Sequence, residues 1–249
     1  MNFNLIEVLL VIGIMTAGTA LQSTVGFGLG LVAGPLLVLI DRAYIPGPML
    51  FAAMLLTSYM AFRERQAIDL SGLKYSIMGR LLSTPVAALI IGMISATAFD
   101  LLFASMILAA VGMSLIHNKI QPTARNIFLA AIASGIMSTI GAIGGPPLAL
   151  VYQNTRGPEL RANLAALFAV GCLISLIALT LVGRFVLVDL LRSGVLLVGV
   201  SIGLIISRSL VRVLDKYTLR PYVLGVCTIA ALVVLGRALF VIFESPGFS

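Results

Sequence analysis

Gln22, Ser23 and Thr24 run into Gly26, Gly28 and Gly30; in the second half of the chain Ser138 and Thr139 run into Gly141, Gly144 and Gly145, with Pro146 and Pro147 next. Hydroxyls and an amide beside clustered glycines can bind a small polar ligand, because glycine lets the ligand approach the backbone. Two prolines are excluded from a helix interior but suit its first turn. A short helix is therefore expected from Gly145 through Tyr152, and a second one after Gly30. The N-terminal end of such a helix presents free N–H groups and about half a positive charge. That is chemistry for holding a small anion without a buried cation.

The elements that position these residues lie in a membrane. The 249-residue chain is 60% hydrophobic and 10% charged, against about 25% charged for a soluble domain. Inside a bilayer the backbone must satisfy its own hydrogen bonds, so a broken helix is tolerated only where it lines a cavity or is buried in protein. Paired breaks in two halves mark the binding site of a transporter. The competing reading is close helix packing through small residues. The hydroxyls of Ser23, Thr24, Ser138 and Thr139 can also bond back to their own helices.

Charge-free runs set the span count. Six of them, at 43–62, 81–99, 101–116, 162–183, 193–207 and 221–236, fit one crossing each. The runs at 8–40 and 126–155 are long for one crossing and short for two, and each reads as a hairpin or a bent crossing. Loop charge separates the two. If both runs return to their starting side, 12 of the 16 Lys and Arg residues fall on one face; Arg42, Arg184, Arg192 and Arg237 are left on the other. If both cross, the split is 9 against 7. The positive-inside rule favours two hairpins, a cytoplasmic basic face and both termini outside.

The halves repeat. Gly26 pairs with Gly141 at a spacing of 115, Phe51 with Phe168 at 117, and Asp69 and Gly79 with Asp189 and Gly199 at 120. The expected fold is all-α and integral to the membrane. It has two inverted repeats, 1–122 and 123–249, each a glycine-broken helical hairpin followed by three transmembrane helices. Three crossings are odd in number, so the second repeat enters inverted and the site falls at the midplane.

Several function classes are disfavoured. A net charge of +7 reads as cytoplasmic loops beside anionic lipid, not as a nucleic-acid surface. Cys172 and Cys227 read as small core residues. No acid lies deep in a span, and no paired carboxylate, metal-spaced His/Cys set or Ser-His pair is present at depth. Neither an enzyme nor a metal or other cofactor is expected, and the missing acids point to an anionic or neutral substrate. His117 reads as interfacial, Asn163 as a cap or interfacial residue, and Tyr152 and Gln153 as interface markers. Arg80 reads as snorkelling to the cytoplasmic interface; the alternative is a role drawing anions toward the site.

The motifs at 26–35 and 141–147 resemble those of the sulfite exporter family of TauE/SafE type. Gly-Ala-Ile-Gly-Gly-Pro-Pro is the more specific of the two; Leu29 interrupts the glycine run of the first. The resemblance covers essentially the whole chain. It implies transport, often outward, of sulfite, organosulfonates or related small anions across a bacterial inner membrane, with no prosthetic group. It implies binding by Gln22, Ser23, Gly26, Gly28, Gly30, Ser138, Gly141, Gly144, Gly145 and Pro146. An anion channel of the same architecture is the first alternative, and a membrane-embedded enzyme or assembly factor the second.

Overall fold

A computed structural model describes residues 4–115, 120–155, 157–214 and 220–244. The described residues contain no strand; ten α-helices account for most of them. They are α1 (Leu5–Val25), α2 (Leu29–Ile40), α3 (Gly47–Arg63), α4 (Leu73–Met93), α5 (Ala96–Leu115), α6 (Ala124–Gly141), α7 (Gly145–Tyr152), α8 (Gly157–Leu181), α9 (Leu187–Leu214) and α10 (Arg220–Glu244). Seven of these, all but α2, α3 and α7, contain stretches long and apolar enough to cross a membrane. The protein is a multi-pass helical membrane protein. His117 and Lys119 lie outside the described residues.

Both long runs break at the glycines. Asn4 Oδ1 accepts from the Ile6 N–H to start α1, and Gly26 ends it in the left-handed region at φ +96°. Gly28, at φ +129°, precedes α2. Thr123 caps the start of α6, and Ala142 ends it at φ +57°. There the Ala142 N–H donates to Ser138 O, the bond of a left-handed helix cap, and the Ile143 N–H donates to Met137 O. Pro146 and Pro147 occupy the first turn of α7, where their missing N–H groups cost least.

The two arms of each run are unequal. The 21 residues of α1 reach about 31 Å at 1.5 Å per residue, whereas α2 and α7 reach about 18 and 12 Å. The long runs, read from sequence as hairpins or bent crossings, are each a full-length helix, α1 or α6, followed by a short return. The contacts show the return. A Cβ on Gly199 would touch Ile12 and Met15, and one on Gly203 would touch Thr16 and Thr19, so α1 and α9 run side by side in the same direction. Gly26, at the far end of α1, abuts Arg161 near the start of α8. Arg42, just after α2, shares a cleft with Arg184 and Arg192 near the start of α9. The chain from α1 through α2 thus comes back to the end where it began. In the same way Gly79 meets Phe128 and Ala131, so α4 and α6 run together, and Tyr152 at the end of α7 sits against Gly72, just before α4.

Helix pairing has a matching pattern. The most extensive contacts are α1 with α9, α4 with α6, α3 with α8 and α5 with α10. Exchanging each of the first five helices for its counterpart five places on leaves that set unchanged. Register differs from the motif alignment by one residue. The left-handed positions are Gly26 and Ala142, 116 apart, and the residues preceding the short helices are Gly28 and Gly144, also 116 apart. Matching glycine to glycine set Gly26 against Gly141, because the second half uses alanine where the first uses glycine.

Candidate functional site

The two breaks touch each other at the centre of the bundle. A Cβ on Gly30 would overlap the Ala142 carbonyl oxygen, and one on Gly145 would lie 3.3 Å from Phe27 Cβ. Only glycine at position 30 allows that approach of backbone to backbone. A cavity of about 30 Å³ lies beside this contact, room for about two waters. Gly28 and Gly30 wall it from the first break, and Gly144, Gly145 and Pro146 from the second. Gln22 on α1 and Ser138 on α6 face it from register-equivalent positions, 116 apart. Leu50, Ala53 and Thr57 on α3 and Phe168 and Cys172 on α8 close the sides.

Arg80 completes the wall, and it does not snorkel. Its residue surface is 1% exposed, which overturns the interfacial placement expected from sequence. Its Nη2 donates to Ser134 Oγ at 2.8 Å, and Ser134 Oγ donates onward to the Gly144 carbonyl at 2.5 Å. This chain ties the guanidinium on α4 to the second break. Among the described residues Nε and Nη1 of Arg80 have no hydrogen-bond partner. A guanidinium stays protonated in proteins, and burying a charge with unmet donors is costly. A Cβ on Gly171 of α8 would overlap the guanidinium, so the glycine there makes the space Arg80 fills.

Seven of the twelve sequence-proposed residues therefore line one cavity: Gln22, Gly28, Gly30, Ser138, Gly144, Gly145 and Pro146. Gln22 has a second task, since its Oε1 accepts from the Leu29 N–H at 3.0 Å and caps α2. The other five lie outside the wall. Thr24 bonds back to the carbonyls of Ala20 and Leu21. Thr139 pairs with Ser175 at 2.9 Å. Gly26 packs on Arg161 and Gly141 on Phe103. Ser23 is buried, and its hydroxyl has no partner.

The helix ends offer fewer donors than expected. In α7 the second and third residues are prolines without N–H groups. In α2 the Leu29 N–H is already taken by Gln22. The guanidinium, not the helix dipole, is the main positive charge at the cavity. Sequence reasoning ranked it low because Arg80 falls about two turns into a span, a position typical of snorkelling. The sequence carries no signal for its true place, since Ser134 on α6 and Gly171 on α8, which hold it there, are distant in the chain.

A second, larger space of about 310 Å³ opens where the three-arginine end of the bundle lies, lined by Arg42, Arg184, Asp189 and Arg192 with Ile91, Ile94 and Phe99. Arg42 pairs with Asp100, and Arg192 pairs with Asp189 at 3.0 Å. Arg184 Nη2 donates to the Gly92 carbonyl at 2.9 Å. At the opposite end Glu64 pairs with Arg63 and Arg161. There Asn163 Oδ1 accepts from the Asp69 N–H at 2.7 Å. Asn163 is thereby a structural tie between α8 and the loop before α4.

A multi-pass helical bundle with two broken helices meeting over a buried cationic cavity has the architecture of a membrane transporter. The model of the sulfite exporter TauE/SafE family matches residues 9–234. The chain belongs to that family of membrane transporters, whose substrates are small anions. No curated protein and no solved structure matches the chain.

Proposed function

We propose that the protein exports a compact sulfur oxyanion, such as sulfite or a small sulfonate, across the bacterial inner membrane by alternating access around the Arg80 cavity. One observation carries this reading. Arg80 is fully buried in the wall of the cavity beside the two breaks, with two donor atoms unmet and no carboxylate partner among the described residues. A site built this way is incomplete without an anion: charge-assisted hydrogen bonds from Nε and Nη1 to one oxyanion would satisfy both donors and the charge together. The unpaired N–H groups at the start of α2 add to the attraction. The tight cavity favours an anion of few heavy atoms, and admission of a longer sulfonate requires the walls to part.

The halves 1–122 and 123–249 are proposed as inverted repeats rocking about that centre. The exchange-invariant helix pairing and the opposite ends from which the two broken runs enter support this. The face bearing Arg42, Arg184 and Arg192 is proposed as periplasmic, together with both termini, because it carries the fewer bases. Nothing in the cavity wall supplies a nucleophile–base pair, so catalysis is not part of the reading.

The test is counterflow into proteoliposomes of the purified chain, screening sulfite, sulfate, thiosulfate, methanesulfonate and small carboxylates. Saturable sulfite or methanesulfonate exchange is expected. Exchange of carboxylates alone would overturn the sulfur assignment, and non-saturating flux would establish a channel instead.

A further inference from the structure

We propose that the species carried is a monoanion moving without a coupling ion, so that a membrane potential negative inside drives its export. The inference rests on the reading of the Arg80 cavity as the substrate site. It fixes the charge of the substrate and the source of the driving force, which that reading leaves open.

The charge follows from the cavity. Arg80 places one full positive charge there, and its only hydrogen-bond partner among the described residues is the neutral Ser134 hydroxyl. Cys172 is the other ionisable group in the wall, and it is a thiol rather than a carboxylate, with an ordinary pKa of about 8.5. A bound monoanion brings the cavity to neutrality. A dianion would replace an unpaired positive charge with an unpaired negative one, and the cost of holding net charge away from water would return with opposite sign. The helix ends cannot balance that second charge. Each supplies at most about half a unit, Pro146 and Pro147 remove donors from one, and Gln22 occupies a donor of the other.

The absence of coupling follows from where the acids are and from how the break carbonyls are used. Proton carriers place carboxylates in the transport pathway, and sodium is held by carbonyls of unwound backbone and half-helix C-terminal ends; here the Gly144 carbonyl already accepts from Ser134, those of Ser138 and Met137 from Ala142 and Ile143, and that of Gln22 from Gly26. Among the described residues no carboxylate lines this cavity. Asp100 and Asp189 are committed to Arg42 and Arg192 beside the wide cleft at one end of the bundle. Glu64 is committed to Arg63 and Arg161 at the other. The net charge moved per cycle is then the charge of the substrate alone, whichever way Arg80 itself shifts. One elementary charge across 100 mV is worth about 2.3 kcal/mol, a gradient of about 50-fold; two charges give about 2,500-fold.

The experiment reads that ratio directly. Proteoliposomes of the full chain are held at equal pH on both sides, without sodium, and a potassium gradient with valinomycin sets about 100 mV, inside positive. Sulfite is the probe, and its distribution at steady state is measured against protein-free vesicles. Accumulation of about 50-fold, unchanged when sodium is added, is expected. A ratio near 1 with intact counterflow would overturn the inference while leaving the anion site standing, since the cycle would then be electroneutral. A ratio near 2,500 would show a dianion and overturn it likewise. No counterflow of any sulfur oxyanion would sink the site assignment and this inference together.

Discussion

Replacing Arg80 by glutamine removes the cavity's charge and leaves a shorter, neutral polar side chain. In the substrate-free protein the guanidinium is a buried charge without a counter-ion, and Nε and Nη1 are unmet. Each unmet donor costs about 1–3 kcal/mol, more when charged. The Arg80→Gln protein is therefore expected to be at least as stable as the parent without anion, and up to about 3 kcal/mol more stable. With anion the order reverses. Two charge-assisted hydrogen bonds at about 1.5–3 kcal/mol each are lost, weakening binding by about 3–6 kcal/mol, or roughly 100- to 10,000-fold. The assay is thermal unfolding of both purified proteins in detergent, with and without sulfite at about 100 times the parent's Kd, where the parent gains about 2.7 kcal/mol. Arg42→Gln, in the wide cleft, is the control and should keep the sulfite response. A sulfite-induced shift in Arg80→Gln equal to the parent's would refute the reasoning, as would loss of the shift in Arg42→Gln alone.

Gly145→Leu should abolish transport: Gly145 lines the cavity and the nearest atoms to a Cβ there belong to Phe27, the closest at 3.3 Å, so a leucine fills the space the anion needs, and uptake assays on thermally stable protein check it. Ala142→Gly should stabilise by about 0.5–1 kcal/mol, because alanine at φ +57° bears the left-handed penalty that glycine escapes, less glycine's entropy cost; chemical denaturation reads the difference. Reporter fusions after Phe62 and at Ser249 should give cytoplasmic and external signals, and a cytoplasmic C-terminus would refute the paired returns. Asp69 lies in the loop before α4, where the Ser71 hydroxyl and N–H hold its carboxyl below the usual range. Its contribution is present above the unfolded-state pKa and lost as pH falls through the lower folded value. Ser71→Ala should raise that titration toward the ordinary carboxylate value, measured by NMR of the Asp69 side chain.

Much of the architecture was legible because membrane physics leaves few options. Gly26, Gly28, Gly144 and Pro146 mark breaks, and a bilayer tolerates a break only where it lines a cavity or is buried in protein. Spacing and parity then gave two returning segments. Segment length was less legible: hydropathy shows that 8–40 is too short for two crossings, but not that α1 takes 21 of those residues and leaves 12 for α2. Register was off by one because the left-handed turn falls on Ala142, a residue type that does not advertise that conformation. At the site, glycines and polar groups beside the breaks were visible from composition alone. The role of Arg80 was not. A guanidinium two turns into a span snorkels unless its neighbours hold it. What holds this one is the gap at Gly171, an α8 residue 91 positions away, together with Ser134 on α6. Thr24 and Thr139 show the opposite failure, hydroxyls at suggestive positions that are spent on Ala20 and Ser175.

The central claim is that one small oxyanion sits between the two breaks on Arg80. Selenite, the selenium counterpart of sulfite, makes that claim visible by anomalous X-ray scattering from crystals of the protein. One selenium peak is expected about 3–4 Å from Arg80 Nε and Nη1, against Gly145. A peak among Arg42, Arg184 and Arg192 with none at Arg80 would contradict the account.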